Sequence, residues 1–321
     1  MGIPITIVSG FLGAGKTTLI NQALTQSPFP REEIIIIENE LGQTGIDHEL
    51  LLQTNEQIIQ LNNGCMCCSL REDLFSSLTA ILEVFQTERY PVSQVIIETT
   101  GIADPQPIVQ TILTATPIKN YFYIDSILTV VDGHHWEQHV KESEAIKQLT
   151  LADRVFFAVK EPADFNQLST FQEMLRTINP FADVLIFKIN DSFLASDFFQ
   201  LKKFTTILSE YEKKHFQQKS VHNHRHVFRS LTLTAVSTIN ESLFYRWLDW
   251  LMYTQQGKLY RFKGIISLQK HDLAVAVQGV NQQVAFQMTN QPSQETTIVL
   301  IGKELDIQEI QKTFQTISKS A

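Results

Sequence analysis

Gly10-Phe11-Leu12-Gly13-Ala14-Gly15-Lys16-Thr17-Thr18 is the stretch of sequence on which the fold depends. It matches the phosphate-binding loop pattern G-x-x-x-x-G-K-S/T without a gap. The stretch follows an apolar run, residues 3–8, and precedes a segment of helical character, residues 16–24. In this strand–loop–helix context the glycines let backbone N–H groups approach a phosphate, and the helix N-terminus favours its negative charge.

Three residues of the sequence are candidates for a catalytic role in phosphate chemistry. Lys16 is expected to reach the β- and γ-phosphates, and the Thr17 hydroxyl is expected to bind Mg²⁺. Glu98 ends a later apolar strand, where phosphate-loop proteins place the carboxylate that holds Mg²⁺, often through water. Gly101 follows it and would let the backbone contact the γ-phosphate. The candidate phosphate contacts within the loop are Gly10, Gly13, Ala14, Gly15, Lys16, Thr17 and Thr18.

The order of apolar and helical segments predicts two domains. Residues 1–190 alternate Ile- and Val-rich strands with helical segments, which is typical of a mostly parallel α/β sheet flanked by helices. Residues 191–218 have the pattern of an amphipathic helix, and the stretch after them is rich in His and Lys. Further strand-like segments and two helices follow. We therefore expect a phosphate-loop domain over residues 1–218 and a small α+β domain over 219–321.

The composition argues against two classes of partner. A net charge of −8 in 321 residues disfavours nucleic acid, because phosphate-backbone binding needs clustered Lys and Arg. No apolar run approaches the about 20 residues that a membrane helix requires. The 3 cysteines are confined to one tetrapeptide, which favours a metal or redox role in a reducing compartment. A cytoplasmic protein is expected.

Cys65-Met66-Cys67-Cys68 is the second stretch that predicts chemistry. Thiolates are soft ligands that suit Zn²⁺, Cu⁺ or Co²⁺. Because tetrahedral zinc needs a fourth donor, Glu38 or Glu40 is a candidate, since both follow an apolar strand at the edge where open α/β sheets bind ligands. Thiol redox chemistry is the alternative for Cys65, Cys67 and Cys68.

The histidines give a weaker signal than the cysteines. His222, His224 and His226 alternate in one stretch, which suits either a low-affinity metal relay or a polar surface loop. His135 and His139 are four residues apart on a candidate helix, where solvated side chains are the ordinary outcome.

The motifs taken together resemble the CobW-type metallochaperone GTPases, a family with cobalt, nitrile-hydratase and zinc-trafficking members. The matching segments are residues 10–18, 38–42, 63–71, 98–105 and 260–264. The resemblance implies a phosphate-loop fold of the SIMIBI class that couples GTP hydrolysis to the binding of zinc or cobalt and its transfer to a client protein. Carried over by position, Cys65, Cys67 and Cys68 form the metal motif, and Glu38 and Glu40 are acidic switch residues that can join it. Association into a homodimer is left open.

The chain departs from this family where the guanine base is read. The family has an Asn-Lys-x-Asp box after the strand at residues 155–159, and here Val159-Lys160-Glu161-Pro162 stands there, with Asp164 two residues further on. A carboxylate that binds both guanine N–H donors contributes about 1.5–3 kcal/mol. Lys160, Glu161 and Asp164 are the candidate replacements. Gln43 is a second departure, because the family often has Glu at that position.

Two other functions therefore stay open beside the metallochaperone. One is a metal-buffering module with weak or degenerate nucleotide specificity. The other is a thiol redox sensor in which the nucleotide is a structural ligand.

Overall fold

The computed structural model describes residues 2–38, 57–60, 69–87, 91–188, 194–204 and 228–319. The chain divides into two compact units, the first formed by residues 1–173 and 182–205 and the second by 174–181 and 206–321. The expected boundary between residues 218 and 219 lies outside the described residues. None of the described helices is both long enough and apolar enough to cross a membrane.

A parallel sheet forms the centre of the first unit, as the Ile- and Val-rich segments predict. Its seven strands, among the described residues, lie in the order β3-β2-β4-β1-β5-β6-β7, and every neighbouring pair is parallel. The strands are β1 (Ile3–Gly10), β2 (Ile34–Glu38), β3 (Gln57–Gln60), β4 (Gln94–Glu98), β5 (Phe122–Asp132), β6 (Arg154–Val159) and β7 (Asp183–Lys188). Ligands of such sheets bind beyond the carboxyl ends of the strands. The loops that follow β1, β2, β4, β5 and β6 are therefore the ones that matter for function.

Helices connect these strands. They are α1 (Lys16–Thr25), α2 (Ser69–Thr87), α3 (Gln106–Thr114), α4 (Ile118–Tyr121), α5 (Trp136–His139), α6 (Ser143–Leu151) and α7 (Leu168–Ile178). The helix α3 begins directly after Pro105, its N-cap, and the Asp104 carboxylate accepts a hydrogen bond of 2.9 Å from the Gln106 N–H. The short helices α4 and α5 and the helix α6 were not predicted, because their segments show no clear helical period.

An apolar core fixes the position of α1 and of the loop before it. Ala14, Leu19 and Ile20 are buried in one cluster with Val8 of β1 and Leu128 of β5. Fully burying a side chain of the size of leucine or isoleucine stabilises the fold by about 1.5–3 kcal/mol. The phosphate loop is thus held on both sides by buried elements, and its geometry is set before any ligand binds.

The predicted amphipathic helix over residues 191–218 is wrong for the part that the structure describes. Residues 195–197 form a single 3-10 turn, and Gln200 and Lys202 have positive φ angles of 57° and 53°. The buried Asp125 carboxylate accepts hydrogen bonds of 3.0 Å from the N–H groups of Leu201 and Lys202. These two N–H groups therefore donate to a side chain and not to the carbonyl groups of a helix. Residues 205–218 lie outside the described residues.

The second unit contains the small α+β fold that the sequence predicts. In the described part of this unit, the antiparallel sheet has five strands in the order β11-β10-β9-β12-β8, namely β8 (Phe228–Ala235), β9 (Leu259–Ile266), β10 (Leu273–Val280), β11 (Gln283–Pro292) and β12 (Thr296–Lys303). Two helices, α8 (Glu241–Thr254) and α9 (Ile307–Lys319), accompany it. Trp247 and Phe314 of these helices share one core with Leu300 of β12, with the Trp247 and Phe314 rings 5.1 Å apart.

Candidate nucleotide and metal site

The phosphate loop begins at a position that only glycine can occupy. Gly10 has a φ of 142°, and a Cβ at this residue would lie 2.3 Å from the carbonyl oxygen of Val130 on β5. The loop then closes on itself, since the Ala14 N–H donates to the Phe11 carbonyl at 3.2 Å. It ends at Gly15, the N-cap of α1, so the N-terminal end of the helix faces the loop. The backbone thus has the form that cradles a phosphate.

Lys16 and Thr17 are the first residues of α1 and lie at the mouth of this loop. The Lys16 side chain is buried, and its Nζ donates to the Phe11 carbonyl at 3.4 Å. Its ammonium group therefore lies directly over the loop, within reach of an anion bound there. Thr18 follows on the same helix, one residue further from the loop.

The Thr17 hydroxyl meets the predicted carboxylate of β4. Thr17 Oγ1 donates to Glu98 Oε1 at 2.9 Å, although the two residues are 81 positions apart in the chain. This contact exists because β4 is the direct neighbour of β1 in the sheet. A hydroxyl and a carboxylate are the hard oxygen donors that Mg²⁺ prefers, so the residues present fit that ion.

Glu38 lies beside Glu98 in the sheet. The two residues are register partners on the parallel strands β2 and β4. Side chains at paired positions leave a sheet on the same face, and neighbouring strands are about 4.8 Å apart. Glu38 is buried at this edge. The predicted metal ligand on β2 therefore shares a location with the predicted Mg²⁺ ligand on β4.

The remaining predicted metal ligands lie outside the described residues. These are Cys65, Cys67, Cys68 and Glu40, and the candidate relay histidines 222, 224 and 226 share that status, as does Gln43. Within the described part of the chain, no group of three or more His, Cys, Asp or Glu side chains is placed to hold a metal ion. The metal and the redox interpretations of the cysteines both stay predictions.

The segment after Glu98 packs directly on the phosphate loop. The Thr99 N–H donates to the Val8 carbonyl at 2.9 Å, which extends the sheet pairing by one residue. A Cβ on Gly101 would lie 2.4 Å from the Leu12 backbone nitrogen. Gly101 therefore allows the closest approach of the two segments, as its predicted role beside the γ-phosphate requires.

The loop after β6 contains Lys160, Glu161 and Asp164, the residues proposed to read the base. Lys160 Nζ donates to Asp132 Oδ2 at 2.9 Å and to the Gly13 carbonyl at 3.4 Å. This side chain thus connects the end of β5 to the phosphate loop. Glu161 is exposed and caps a 3-10 helix, residues 162–167.

The Asp164 carboxylate is directed into its own loop. It is only 1 % exposed, and its Oδ2 accepts hydrogen bonds from the N–H groups of Lys160 and Glu161 at 2.8 and 2.9 Å. Its Oδ1 lies 3.2 Å from His134 Nδ1. Burial raises the pKa of Asp164, but the bonds from Glu161 and Lys160 and the His134 side chain outweigh it, and the net pKa is lowered. Both oxygens therefore already have partners within the protein.

Three histidines near the phosphate loop have partners that the sequence did not predict. His134 pairs with Asp164, and His135 Nδ1 lies 3.1 Å from Asp132 Oδ2. The His139 ring lies 4.4 Å from the ring of Phe11 in the phosphate loop. Burial lowers the pKa of His139. The spacing of His135 and His139 gave a helix face, but their partners are set by the ends of β5 and β6.

Gln148 is the residue that the sequence analysis missed altogether. It lies on α6, and its Nε2 donates to the carbonyls of Gly101 and Ala103 at 3.3 and 3.1 Å. No motif contains it. In the sequence Gln148 is one of several polar residues of the helix Ser143–Leu151, so nothing distinguishes it from its neighbours.

The comparison with known proteins agrees with this geometry. Residues 4–186 match the family model of the CobW/HypB/UreG nucleotide-binding domain, and residues 228–318 match the cobalamin synthesis protein CobW C-terminal domain. The zinc chaperone YjiA of Escherichia coli K12 is 28% identical over 99% of both chains. The zinc chaperone CobW of Pseudomonas aeruginosa is 38% identical over 41% of this chain and 36% of its own length.

A solved structure shares the fold over the whole length. The crystal structure of Zn(II)-bound YjiA GTPase from E. coli superposes with a TM-score of 0.75 at 23% identity and covers 99% of each chain. At this identity the likeness concerns the fold. The match of the nucleotide-binding domain spans more than half of the sequence. The chain therefore belongs to the CobW/HypB/UreG family of nucleotide-binding proteins.

Proposed function

We propose that this protein is a Mg²⁺-dependent GTPase that binds a transition metal ion, with zinc favoured and cobalt second, and delivers it to a client metalloprotein in the cytoplasm. The observation that carries the proposal is the 2.9 Å hydrogen bond between Thr17 of the phosphate loop and Glu98 of β4. It joins the two residues that we propose as Mg²⁺ ligands, one of which, Thr17, is next to Lys16 in the sequence. Similar proteins named zinc chaperones support the choice of cargo.

In the proposed reaction, water attacks the γ-phosphorus of GTP, the bond to the β–γ bridging oxygen breaks, and GDP and phosphate leave. The N–H groups of the loop and the Lys16 ammonium bind the phosphate oxygens, which gain negative charge as the bond breaks. Thr17 and Glu98 would hold Mg²⁺, which supplies positive charge to the β- and γ-phosphates. Gly101 presents its N–H to the γ-phosphate.

The proximity of Glu38 and Glu98 suggests how metal and nucleotide are coupled. A change in the position of β4 or its loop on loss of the γ-phosphate would displace the neighbouring β2, which Glu40 follows in the sequence. The strand β2 pairs in turn with β3, which precedes the cysteines. Two ligands that bias the same conformational equilibrium affect one another's affinity by the same factor. The affinity for Zn²⁺ should therefore differ between the GTP-bound and GDP-bound forms.

The test is a pair of Zn²⁺ titrations, one with a non-hydrolysable GTP analogue and one with GDP. Coupling free energies of this kind are about 1–3 kcal/mol, so a difference of about 5- to 150-fold is expected. Lys16→Ala should lower GTP turnover by about 10²- to 10³-fold. Cys67→Ala should weaken Zn²⁺ binding and leave nucleotide affinity unchanged. Equal Zn²⁺ affinities in the two nucleotide states would contradict the coupled carrier.

The partners of Asp164 favour a second candidate. With both carboxylate oxygens hydrogen-bonded within the protein, Asp164 is not directed at a base, which suits a metal-buffering module with weak or degenerate nucleotide specificity. This candidate predicts metal binding that is indifferent to nucleotide. Steady GTP turnover that Lys16→Ala abolishes would reject it.

A further inference from the structure

Gln148 is a buried amide that lies outside every motif of the nucleotide site. It is 1 % exposed, and its helix α6 contributes none of the predicted ligands. Its Nε2 donates to two carbonyls of the segment after β4, those of Gly101 and Ala103. The side chain is thus hydrogen-bonded to two backbone carbonyls of one short segment that lie 47 and 45 positions away in the sequence.

That segment has a second attachment to the same helix. Lys147, the neighbour of Gln148, forms an ion pair of 3.4 Å with Asp104. This pair is partly exposed, so it contributes little by itself. Its position nevertheless shows that α6 is in contact with residues 101, 103 and 104, which immediately follow Glu98.

Gln148 is in turn anchored to the start of the phosphate loop. The Thr129 hydroxyl donates to the Gln148 carbonyl at 3.3 Å and lies 2.9 Å from the Ser9 hydroxyl. Ser9 directly precedes Gly10, the first residue of the loop. A continuous series of buried hydrogen bonds therefore links the base of the phosphate loop, through β5 and α6, to Gly101.

Gly101 needs an external constraint of this kind. A glycine has more backbone freedom than any other residue, so the direction of its peptide groups is not set by its own side chain. The Gln148 amide fixes the Gly101 carbonyl, and the contact with Leu12 fixes its other side. Fixing a group before the reaction removes an entropic cost from the activation barrier.

We propose that Gln148 is a positioning residue for hydrolysis: its side-chain amide holds the Gly101 segment so that the Gly101 N–H meets the γ-phosphate. This inference rests on the proposed function, because it assumes that the site hydrolyses a nucleoside triphosphate. GDP has no γ-phosphate, so the effect of Gln148 is specific to the triphosphate state. It acts on kcat and on the affinity for a triphosphate, and leaves GDP affinity unchanged.

The chain offers a matched control at the opposite end of β4. Gln94 is also a fully buried glutamine, and its Nε2 donates to Thr6 Oγ1 at 3.1 Å and to the Val95 carbonyl at 2.9 Å. Gln94→Leu and Gln148→Leu make the same chemical change in equally buried places. Of these two glutamines, only Gln148 is hydrogen-bonded to the segment that follows Glu98.

The experiment compares both variants with the wild-type protein by steady-state GTP turnover and by affinities for GDP and for a non-hydrolysable GTP analogue. Gln148→Leu is expected to lower kcat by about 10- to 100-fold and to reduce the ratio of analogue affinity to GDP affinity by about tenfold. Gln94→Leu is expected to leave kcat and that ratio unchanged. If Gln148→Leu does not fold, Gln148→Glu, which has the same shape but no N–H donors, replaces it with the same expectation.

The possible outcomes separate this inference from the proposed function. A wild-type rate and affinity ratio for Gln148→Leu, or equal losses in both variants, would overturn the positioning role while GTP turnover by the wild type still supports the GTPase. A wild-type protein that binds the analogue without turning over GTP would overturn the proposed function. The affinity ratio would then still decide whether Gln148 orients Gly101.

Discussion

Asp164 has a different environment from the one that its place in the sequence suggests. Its offset from the base-reading box made it a candidate for binding a guanine. In the structure the carboxylate accepts hydrogen bonds from the N–H groups of Lys160 and Glu161, and the His134 ring lies beside it. A charged group that is buried needs such partners, because its desolvation is otherwise too costly. We infer that Asp164 stabilises the loop.

Asp164→Asn should therefore lower the stability of the protein without changing its choice of base. At pH 7 the free energy of unfolding should fall by about 1–3 kcal/mol, because two backbone donors lose a charged acceptor. The folded-state pKa of Asp164 lies below its ordinary value, so the stabilisation is complete above the unfolded pKa and is lost as the pH falls through the folded one. The difference between wild type and variant, measured by urea unfolding, should accordingly shrink below about pH 4.

The same variant also tests base recognition. ITP lacks the 2-amino group of GTP, so the ratio of their affinities reports a carboxylate that binds the guanine edge. We expect Asp164→Asn to leave this ratio within about twofold of the wild type, whereas loss of a reading carboxylate would change it by about 10- to 100-fold. A change of the larger size in this affinity ratio would show that Asp164 binds the base.

At the scale of elements, sequence patterns located the strands well and the connecting helices less well. The start of α1 at Lys16 was predicted to the residue, because the loop signature marks it, and the parallel strands could be recognised because a strand buried on both faces is continuously apolar. The helices α4 and α5 have four residues each, too few for a helical period to be visible. Residues 194–204 do not form the predicted helix, because the carboxylate of Asp125, distant in sequence, accepts the N–H groups of Leu201 and Lys202.

The phosphate loop itself permits a comparison of two glycines. Gly10→Ala would place a Cβ 2.3 Å from the Val130 carbonyl oxygen, so β1 and β5 must separate. Gly13 has a φ of 73° and open space around its ideal Cβ. The only cost expected of Gly13→Ala is therefore that of holding an alanine at a positive φ angle. We expect a loss of about 1–2 kcal/mol for Gly13→Ala and at least about 4 kcal/mol for Gly10→Ala, measured by chemical denaturation. Equal losses would show that the close approach to Val130 does not constrain the loop.

At the scale of the whole molecule, the chain is two units with separate apolar cores. The first core surrounds the seven-stranded parallel sheet, and the second joins the five-stranded antiparallel sheet to α8 and α9. All of the described candidate nucleotide residues belong to the first unit. Stability and nucleotide binding can therefore be altered separately.

Leu300→Ala tests this separation. Leu300 is fully buried in the second core, so truncation should destabilise that unit by about 2–5 kcal/mol. Nucleotide affinity should stay at the wild-type value, while Leu128→Ala, an equally buried position in the first core, should lower it. Hydrogen exchange of peptides from each unit, together with nucleotide titration, measures both effects. Loss of nucleotide affinity in Leu300→Ala would mean that the second core supports the site.

The sequence by itself determined the phosphate loop, the roles expected of Lys16 and Thr17, and the alternation of strands and helices that is typical of a parallel sheet. These features are local, because each depends on residue types at short and regular spacing. The tertiary structure decided which distant groups meet: Glu98 with Thr17, Glu38 beside Glu98, and Gln148 with Gly101. Strand order and helix packing create these contacts across 47 to 81 positions of chain, and no short motif encodes them.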